Sequence, residues 1–418
     1  CIGREAFFGE ALPNDHKPAK PRAIMSDETE NRALLPAGLH DLLPPRAGQE
    51  SAAITGILEV FAASGYEQVK PPLVEFESTL AGNGANGGGS LSGQMFRLMD
   101  PVSQRMMAVR ADITLQVARI AGTRLAAAPR PLRLSYAGQI LRVRGNQLRP
   151  ERQFAQVGVE LIGPDSVAAD VEVIVLAAEG LNAAGIVEPT IDINSPALVA
   201  HVLAGIDLGE EAVQELRASL DRKDLGATEE VLRREGIAFS DSAKALCAMI
   251  ETVGPAAEVV EELKSIDLPA DARAEVIRLA DVVDGVRAAL PELSLTLDPV
   301  EYRGFEYQTG VSFTVFAEGV RGELARGGRY ITGAGEYATG VSLYMDSIMR
   351  ALPDAESGSR LYLPAETAVA VGQGLRANGW VTVTGLQDVA DIEEEARRLG
   401  CSHYLVGEDP VATRDTDS

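Results

Sequence analysis

Residues 136–163 are YAGQILRVRGNQLRPERQFAQVGVELIG, and this stretch carries the strongest prediction of the fold. Its middle, Arg144–Pro150, is rich in Gly, Asn and Arg, which predicts a loop between the two arms of an antiparallel hairpin. The second arm alternates with a period of two, so its side chains divide between the two faces of a strand. The apolar face carries Ala155, Val157, Val159 and Leu161, and the polar face carries Arg152, Gln156, Gly158 and Glu160.

The polar face of this arm presents a guanidinium, a carboxamide and a carboxylate in a row, and Gly158 leaves room between them. A buried strand face carries such groups only when partners satisfy their hydrogen bonds, and a zwitterionic small molecule is one candidate partner. A solvated face of an antiparallel sheet accounts for the same pattern. From this stretch alone, both interpretations stay open.

The composition of the chain limits the classes of function that it can have. With 418 residues and 46% apolar content, the chain can bury a large core and is expected to form two or more domains. Its net charge of −23 makes it a poor candidate for binding nucleic acid, because each phosphate contact needs a Lys or Arg. The apolar runs are far shorter than a membrane span, so we expect no contact with a membrane.

The cysteines and histidines give no sign of a metal site or a disulfide framework. Cys1, Cys247 and Cys401 are far apart in the sequence, as are the four histidines. This spacing predicts a protein of the reducing cytoplasm that needs no metal.

The chain divides into regions of different pattern. Residues 1–32 predict a disordered extension, and residues 33–355 predict the core domain. Within this core, a helical and acidic insertion is expected at about 208–292. Residues 358–408 alternate between strand and helix patterns and predict a small α/β unit, and residues 409–418 predict a disordered tail.

Several segments resemble the class II aminoacyl-tRNA synthetases, and specifically the histidyl enzyme. The run RQFAQVGVELIG resembles the second strand of motif 2 in that enzyme, and the helix, strand and proline pair of 47–72 resemble its dimer-forming motif 1. The run RGFEYQTG resembles its histidine-specific signature, except that Gln308 replaces the second tyrosine. The resemblance implies an α+β fold: a class II synthetase-like antiparallel sheet flanked by helices, with a helical insertion and a small C-terminal α/β unit.

The same resemblance implies a histidine-binding pocket. In the enzyme, an acidic residue and a threonine hold the ammonium group of the substrate, and Asp112 and Thr114 match these two positions. Asp112 is one methylene shorter than the usual glutamate. The complete set of histidine-binding residues that the resemblance implies is Asp112, Thr114, Arg142, Gln156, Glu160, Arg303, Tyr307 and Tyr330.

The positions that clamp ATP in these enzymes depart from the family pattern. Asp346 and Ser347 stand where motif 3 carries Glu-Arg, so the arginine that clamps ATP is missing. In motif 2, Arg144 replaces a glutamate and Gly145 replaces an arginine. The removal of one preorganised donor costs about 10²–10³ in rate, so we expect no catalytic residues and no adenylate formation. Arg326, Arg329 and Arg350 are candidates to replace the missing guanidinium.

A matching pocket without the clamp, together with a C-terminal unit that is shorter than the anticodon-binding domain, resembles the HisZ family of ATP phosphoribosyltransferase regulatory subunits. That resemblance implies a non-catalytic subunit that dimerises through the synthetase-like core and binds a short-form catalytic subunit. It also implies that histidine is the feedback effector in the first step of histidine biosynthesis and that no cofactor is needed. A divergent histidyl-tRNA synthetase and a stand-alone histidine sensor are the alternatives.

Overall fold

The structure of the chain is a computed structural model. It describes residues 34–80, 93–146, 148–204, 206, 208–301, 308–354 and 359–414. The extension predicted for residues 1–32 lies outside the described residues.

The predicted central hairpin is present. Strand β5 (Leu132–Leu141) and strand β6 (Gln153–Gly163) pair antiparallel, with Tyr136 opposite Gly158. All nine residues of β6 from Phe154 to Ile162 are buried, so neither face of this strand is solvated. The interpretation of its polar face as a solvated surface is therefore wrong.

The hairpin belongs to a mixed sheet that has nine strands among the described residues. Antiparallel pairs dominate, and the β1–β5 and β7–β9 pairs are parallel. The strands run in the order β1-β5-β6-β12-β11-β10-β7-β9-β8. Besides the hairpin, they are β1 (Glu67–Gln68), β7 (Thr190–Asn194), β8 (Gly254–Pro255), β9 (Ser294–Leu297), β10 (Gln308–Phe316), β11 (Ala325–Ile331) and β12 (Tyr337–Tyr344).

Helices α1 (Arg46–Ala63) and α4 (Val167–Ala183) contribute to the core that covers one face of this sheet. The apolar residues of β6 that the sequence assigned to one face, from Ala155 to Leu161, all lie in this core. Ser166 caps α4, because its hydroxyl accepts a hydrogen bond from the Ala169 amide. The opposite face of the sheet carries the polar residues of β6, and α3 (Thr114–Gly122) packs there.

A small three-stranded sheet precedes the central hairpin in the described part of the chain. It consists of β2 (Val74–Phe76), β4 (Met106–Val109) and β3 (Arg97–Met99), and the short helix α2 (Glu77–Leu80) follows β2. The β3–β4 pair is an antiparallel hairpin around Asp100.

The predicted insertion is helical. After α5 (Pro196–Leu203), five helices follow within the described residues. Their apolar residues, among them Leu216, Leu246 and Val283, belong to the same hydrophobic cluster as the sheet. They are α6 (Glu210–Asp221), α7 (Leu225–Arg234), α8 (Asp241–Glu251), α9 (Ala256–Ser265) and α10 (Ala270–Ala289). None of the described helices is long and apolar enough to cross a membrane.

After α11 (Met345–Ala351), the C-terminal unit forms a sheet of its own, in the order β14-β13-β15-β16. Its elements are β13 (Arg360–Leu363), α12 (Val369–Ala377), β14 (Val381–Thr384), α13 (Ile392–Arg398), β15 (His403–Val406) and β16 (Asp409–Ala412).

The prediction of a disordered tail over 409–418 is wrong for residues 409–412. Strand β16 pairs antiparallel with β15 across a turn in which Gly407 has a φ of +63°. Its sequence, DPVA, has no alternating apolar pattern, so its order comes from the backbone pairing to β15 and not from side-chain burial. Residues 415–418 lie outside the described residues.

A buried ion pair joins the sheet to α4. Arg329 of β11 donates to Asp170 at 2.6 Å, and both side chains are at most 3% exposed. Thr339 also donates to this carboxylate, at 3.0 Å. Arg329 pairs with Asp165 as well, so its guanidinium is committed to the helix side of the sheet.

Removal of one partner from this pair leaves a buried charge uncompensated. We therefore expect Arg329→Met to lower the free energy of unfolding by about 3–5 kcal/mol in urea titrations. Arg278 is a matched control, because it pairs with Asp165 at 3.0 Å but is 29% exposed. Arg278→Met should cost no more than about 1 kcal/mol. Equal effects of the two substitutions would contradict the assignment.

Candidate functional site

The candidate site lies on the polar face of the sheet, where β5, β6, β12 and β11 are neighbours. Gln156 and Glu160 of β6 are at most 1% exposed. They are surrounded by polar groups from the other strands, and those groups are buried as well. The surrounding residues are Tyr136 of β5, Tyr330 of β11 and Ser342 of β12.

Glu160 is the centre of this site. The Tyr330 hydroxyl donates to Glu160 Oε2 at 2.8 Å, and the Tyr136 hydroxyl donates to Oε1 at 3.4 Å. Burial raises the pKa of Glu160 to about 8, although the hydroxyls of Tyr330 and Thr114 act in the opposite direction. Gly340 lies directly opposite Glu160 on β12, and a Cβ at Gly340 would collide with this carboxylate. The site therefore requires glycine at position 340.

Gln156 links Glu160's strand to the start of α3. Its Oε1 accepts from the Ile113 amide at 3.0 Å, and its Nε2 donates to Asp112 Oδ2 at 3.0 Å. The other oxygen of Asp112 accepts from the Thr114 amide at 2.8 Å. Asp112 thus accepts a hydrogen bond from the first residue of α3 and also belongs to the polar network.

Thr114 completes the connection between the two ends of the site. Its hydroxyl lies 3.2 Å from the Tyr136 hydroxyl, which in turn lies 2.9 Å from Ser342 Oγ. Gln156 Nε2 donates to the same Ser342 Oγ at 2.6 Å. Asp112 and Thr114 are only half-buried. A ligand therefore can reach the network at this end, where the carboxylate of Asp112 favours a cationic group.

The remaining residues of the predicted pocket fall into two groups. Arg142 lies beside the site, because its Nε donates to the Ala111 carbonyl at 3.3 Å and its guanidinium lies 5.2 Å from the centroid of the Phe154 ring. Arg303 and Tyr307 lie outside the described residues. The structure thus brings together Asp112, Thr114, Gln156, Glu160 and Tyr330, with Arg142 adjacent to them.

The sequence did not identify Tyr136 and Ser342, which bridge the two halves of the network. The one feature of the sequence that could have pointed to them is Gly158, which pairs with both residues in the sheet. We expected Gly158 to leave room between the polar side chains of this strand. A Cβ at Gly158 would meet the tyrosine hydroxyl at 2.5 Å, so the Tyr136 side chain occupies that space.

The positions of the missing ATP clamp are occupied by ion pairs within the chain. Arg149 Nε lies 3.2 Å from Asp346, and its guanidinium stacks 3.9 Å from the centroid of the Tyr344 ring. Burial raises the pKa of Asp346, whereas Arg149 lowers it. Arg350 donates to Ser347 Oγ at 2.9 Å and pairs with Glu151 at 3.0 Å.

The candidates to replace the clamp arginine are therefore engaged elsewhere. Arg350 is held by Glu151 and Ser347, and Arg329 is held on the opposite face of the sheet. Burial raises the pKa of Glu301 to about 7, and the positive charge of Arg326 acts against this rise, so this guanidinium lies near a carboxylate of its own. In the loop, a side chain at Gly145 would collide with the Pro150 carbonyl, so an arginine at this position does not fit the observed backbone.

Among the described residues, no cluster of His, Cys, Asp and Glu side chains has the arrangement of a metal site. Cys247 and Cys401 are both free thiols.

Comparison with known proteins places these features in a family. The model of the histidyl-tRNA synthetase family matches residues 38–348. The ATP phosphoribosyltransferase regulatory subunit of Paramagnetospirillum magneticum is 53% identical over 378 residues, which make up 90% of this chain and 97% of that relative. The regulatory subunit of Rhodospirillum centenum is 51% identical over 386 residues, or 92% of this chain and 97% of that relative.

Solved structures show the same fold. The structure of an ATP phosphoribosyltransferase regulatory subunit/histidyl-tRNA synthetase from Bacillus halodurans C has a TM-score of 0.74 at 23% identity, with 91% of this chain and 97% of that chain covered. A chain of the ATP phosphoribosyl transferase (HisG:HisZ) complex from Thermotoga maritima has a TM-score of 0.55 at 19% identity, with 71% and 97% covered.

The fold and the matched family model define a class II protein of the histidyl-tRNA synthetase type, as the sequence predicted. The full-length similarity to the curated relatives is more specific. It shows that the chain belongs to the family of ATP phosphoribosyltransferase regulatory subunits.

The raised pKa of Glu160 predicts a pH dependence of stability. Because its pKa is about 8 in the folded chain and 4.5 without the fold, the contribution of Glu160 is fully present below pH 4.5 and is lost as the pH rises through 8. Glu160→Gln mimics the neutral carboxyl. The free energy of unfolding of the variant minus that of the wild type should therefore increase over this interval in urea titrations.

Glu172→Gln is a control, because the pKa of Glu172 is shifted in the opposite direction. A hydrogen bond from Arg133 lowers the pKa of Glu172, so its stabilising contribution is present at neutral pH and is lost as the pH falls through the lowered value. A Glu160→Gln difference that does not change with pH would show that the carboxyl is not held in the protonated form.

Proposed function

We propose that the chain acts as the non-catalytic regulatory subunit of ATP phosphoribosyltransferase, in the first step of histidine biosynthesis. It binds the short-form catalytic subunit, which needs it for activity, and it makes that activity sensitive to histidine. Two observations together support this proposal. Buried hydroxyls donate to Glu160 in a polar network, and at the positions of the ATP clamp Arg149 pairs with Asp346. One site has the chemistry to bind an amino acid, while the other carries Asp346 and Ser347 in place of Glu-Arg and has its buried Arg149 paired with Asp346.

The network around Glu160 has the chemistry that histidine requires. The carboxylate of Asp112 suits the ligand's ammonium group at the half-buried end, and Glu160 lies deeper, where it can hydrogen-bond to the imidazole. Tyr330 and Gln156 orient the two carboxylates by hydrogen bonds. The arrangement therefore supports a small zwitterionic ligand, and not an anionic one.

The ion pairs at the clamp argue against the alternative of a histidyl-tRNA synthetase. Arg149 stacks on Tyr344 and is neutralised by Asp346 in an environment where both side chains are at most 6% exposed. A nucleotide would have to displace this pair and leave two buried charges unsatisfied. Stabilisation of an adenylate-forming transition state needs the reverse, which is a preorganised and available donor.

Regulation by histidine requires the ligand to have different affinities for two states of the complex. Since α3 begins at Thr114 and the Thr114 amide donates to Asp112, a ligand that binds Asp112 and Thr114 acts directly on the start of α3. We propose that this helix transmits the occupancy of the pocket to the partner. A stand-alone histidine sensor would contain the same pocket. A regulatory subunit differs from such a sensor in that it binds a catalytic partner.

We also propose that the chain forms a dimer through the synthetase-like core, in the cytoplasm. The three-stranded sheet next to α3 exposes Leu98, Met99, Val102 and Met106, with exposed fractions between 40% and 90%. Apolar residues grouped in this way are typical of an interface. A second copy of the chain is the occupant that the resemblance to motif 1 implies.

Reconstitution of the complex tests the proposed function. The purified catalytic subunit should form phosphoribosyl-ATP slowly when alone and much faster after the chain is added, and histidine should inhibit the mixture more strongly than the catalytic subunit alone. Glu160→Ala should activate the partner normally but weaken histidine binding by about 0.5–1.5 kcal/mol, because the hydrogen bond of a carboxyl that is largely protonated at neutral pH is lost.

Glu172→Ala is the matched control for this experiment, because Glu172 bonds to Arg133 and Tyr66 and takes no part in the network around Glu160. It should leave both activation and inhibition unchanged. A short transferase that is fully active alone, and that histidine inhibits equally with and without the chain, would overturn the proposed function.

A further inference from the structure

Thr314 is a buried polar residue of β10 that the network around Glu160 does not use. It is 2% exposed, and within the described residues its hydroxyl has no hydrogen-bond partner. Asp192 lies directly opposite on β7, but its carboxylate accepts from Thr296 at 2.6 Å. A buried hydroxyl without a partner is costly and such groups are rare in folded proteins, so a ligand that bonds to Thr314 gains by satisfying it.

The pairing of the strands places this hydroxyl beside Arg326. Arg326 of β11 lies directly opposite Thr314 on one side and directly opposite Ser342 of β12 on the other. Residues that are directly opposite each other project to the same face of a sheet. Ser342 belongs to the network, since its Oγ accepts from Gln156 and lies 2.9 Å from the Tyr136 hydroxyl. Arg326 and Thr314 therefore extend the polar face of the network by two strands.

The same face of β11 carries Arg326, Gly328 and Tyr330, because alternate residues of a strand share a face. Tyr330 donates to Glu160 at the imidazole end of the proposed pocket. Gly328 has no side chain, so no side chain of this strand separates Arg326 from Tyr330. A ligand whose ring lies at Glu160 can therefore extend an acidic group toward Arg326.

The carboxylate of an amino-acid ligand needs a cation, and several arginines near the network are committed to other groups. Arg149 is paired at the clamp, and Arg329 is held on the opposite face of the sheet. Arg110 donates to two backbone carbonyls. Two arginines are better placed: Arg142 lies beside the site, and Arg326 lies on its floor next to a buried hydroxyl.

Glu301 is an acidic residue near Arg326, and its charge is reduced at neutral pH. Burial raises the pKa of Glu301 to about 7, and the negative charge of Asp192 adds to this rise. A carboxyl with this pKa is partly protonated at neutral pH, so it neutralises Arg326 only in part. The guanidinium thus keeps positive charge for a ligand.

We infer that Arg326 and Thr314 form the subsite for the carboxylate of the bound amino acid. The guanidinium supplies the charge, and the Thr314 hydroxyl supplies a further hydrogen bond. This inference rests on the proposed function, since it assigns the third polar group of the same ligand. A guanidinium presents a fork of N–H donors that matches a carboxylate, and an uncharged alcohol in its place forms a much weaker contact.

The test compares histidine with histidinol, which keeps the ammonium and imidazole groups but has a hydroxymethyl group in place of the carboxylate. In calorimetry, the wild-type chain should prefer histidine. Arg326→Gln should weaken histidine binding by about 10- to 150-fold, the range for a hydrogen bond to a charged group, and should leave histidinol binding unchanged. An equal loss for both ligands would overturn the inference, because Arg326 would then support only the shape of the pocket.

Thr314→Val removes the hydroxyl and keeps the shape of the side chain, and it also tests the subsite if Arg326→Gln does not fold. It should weaken histidine binding by about 2- to 12-fold and leave histidinol binding unchanged. Because the hydroxyl has no partner within the described residues, the Tm of the ligand-free variant should stay the same or rise. A lower Tm, or an unchanged preference for histidine, would overturn the assignment of Thr314.

Arg142→Gln tests the rival arginine. Loss of the preference for histidine in Arg142→Gln, with the preference kept in Arg326→Gln, would overturn the inference, because Arg142 would then bind the carboxylate. Arg278→Gln is the matched control, since the Arg278 side chain is 29% exposed and pairs with Asp165 outside the pocket. It should leave the affinities for both ligands unchanged.

Two failures can be told apart. Wild-type chain that binds histidine neither alone nor with its catalytic partner would overturn both the proposed function and this inference. Wild-type chain that binds histidine, with the same preference over histidinol in Arg326→Gln, would overturn the inference about the carboxylate subsite only.

Discussion

The fold of this chain accommodates a carboxyl group in the middle of a sheet with almost no access to water. Glu160 is 1% exposed, and its burial is possible only because hydroxyl groups on neighbouring strands donate to it. This requirement restricts the residues around it. Gly340 and Gly158 must lack side chains so that Glu160 and Tyr136 fit, and Ser342 must connect Tyr136 to Gln156. The polar face of β6 is thus a single network that extends to Asp112 at the start of α3.

The same sheet holds the polar network and the clamp positions on different elements. Gln156 and Glu160 lie on β6, whereas Asp346 and Ser347 lie in α11, which begins directly after the Tyr344 that pairs with Gln156. At the clamp, Asp346 and Ser347 stand where the synthetase motif carries Glu-Arg. Arg149 forms a buried ion pair with Asp346, and Arg350 donates a hydrogen bond to Ser347. The proposed role requires such a chain to bind an amino acid and to pass that information to a partner.

The sequence predicted the parts of this arrangement that depend on local pattern. The period of two in β6 correctly separated the apolar residues Ala155–Leu161 from Gln156, Gly158 and Glu160. It was wrong for Arg152, which lies before the strand and donates to the Arg142 and Ala37 carbonyls. The resemblance to the histidyl enzyme selected Asp112, Gln156, Glu160 and Tyr330. It could not identify Tyr136 and Ser342, because their role depends on which residues are paired across three strands. Arg149 and Asp346 are almost 200 positions apart, so their ion pair was equally hidden. Strand β16 was missed because backbone pairing, and not an apolar pattern, holds it in place.

We propose that the chain keeps a histidine site and has lost the chemistry with ATP. Histidine binding by calorimetry and histidine-dependent exchange of pyrophosphate into ATP, followed in one preparation, test this most directly. We expect histidine to bind with or without ATP, and we expect the exchange not to rise above the background without histidine. Exchange that depends on histidine and turns over clearly above that background would contradict it, since the Arg149–Asp346 pair would then have to open to a nucleotide.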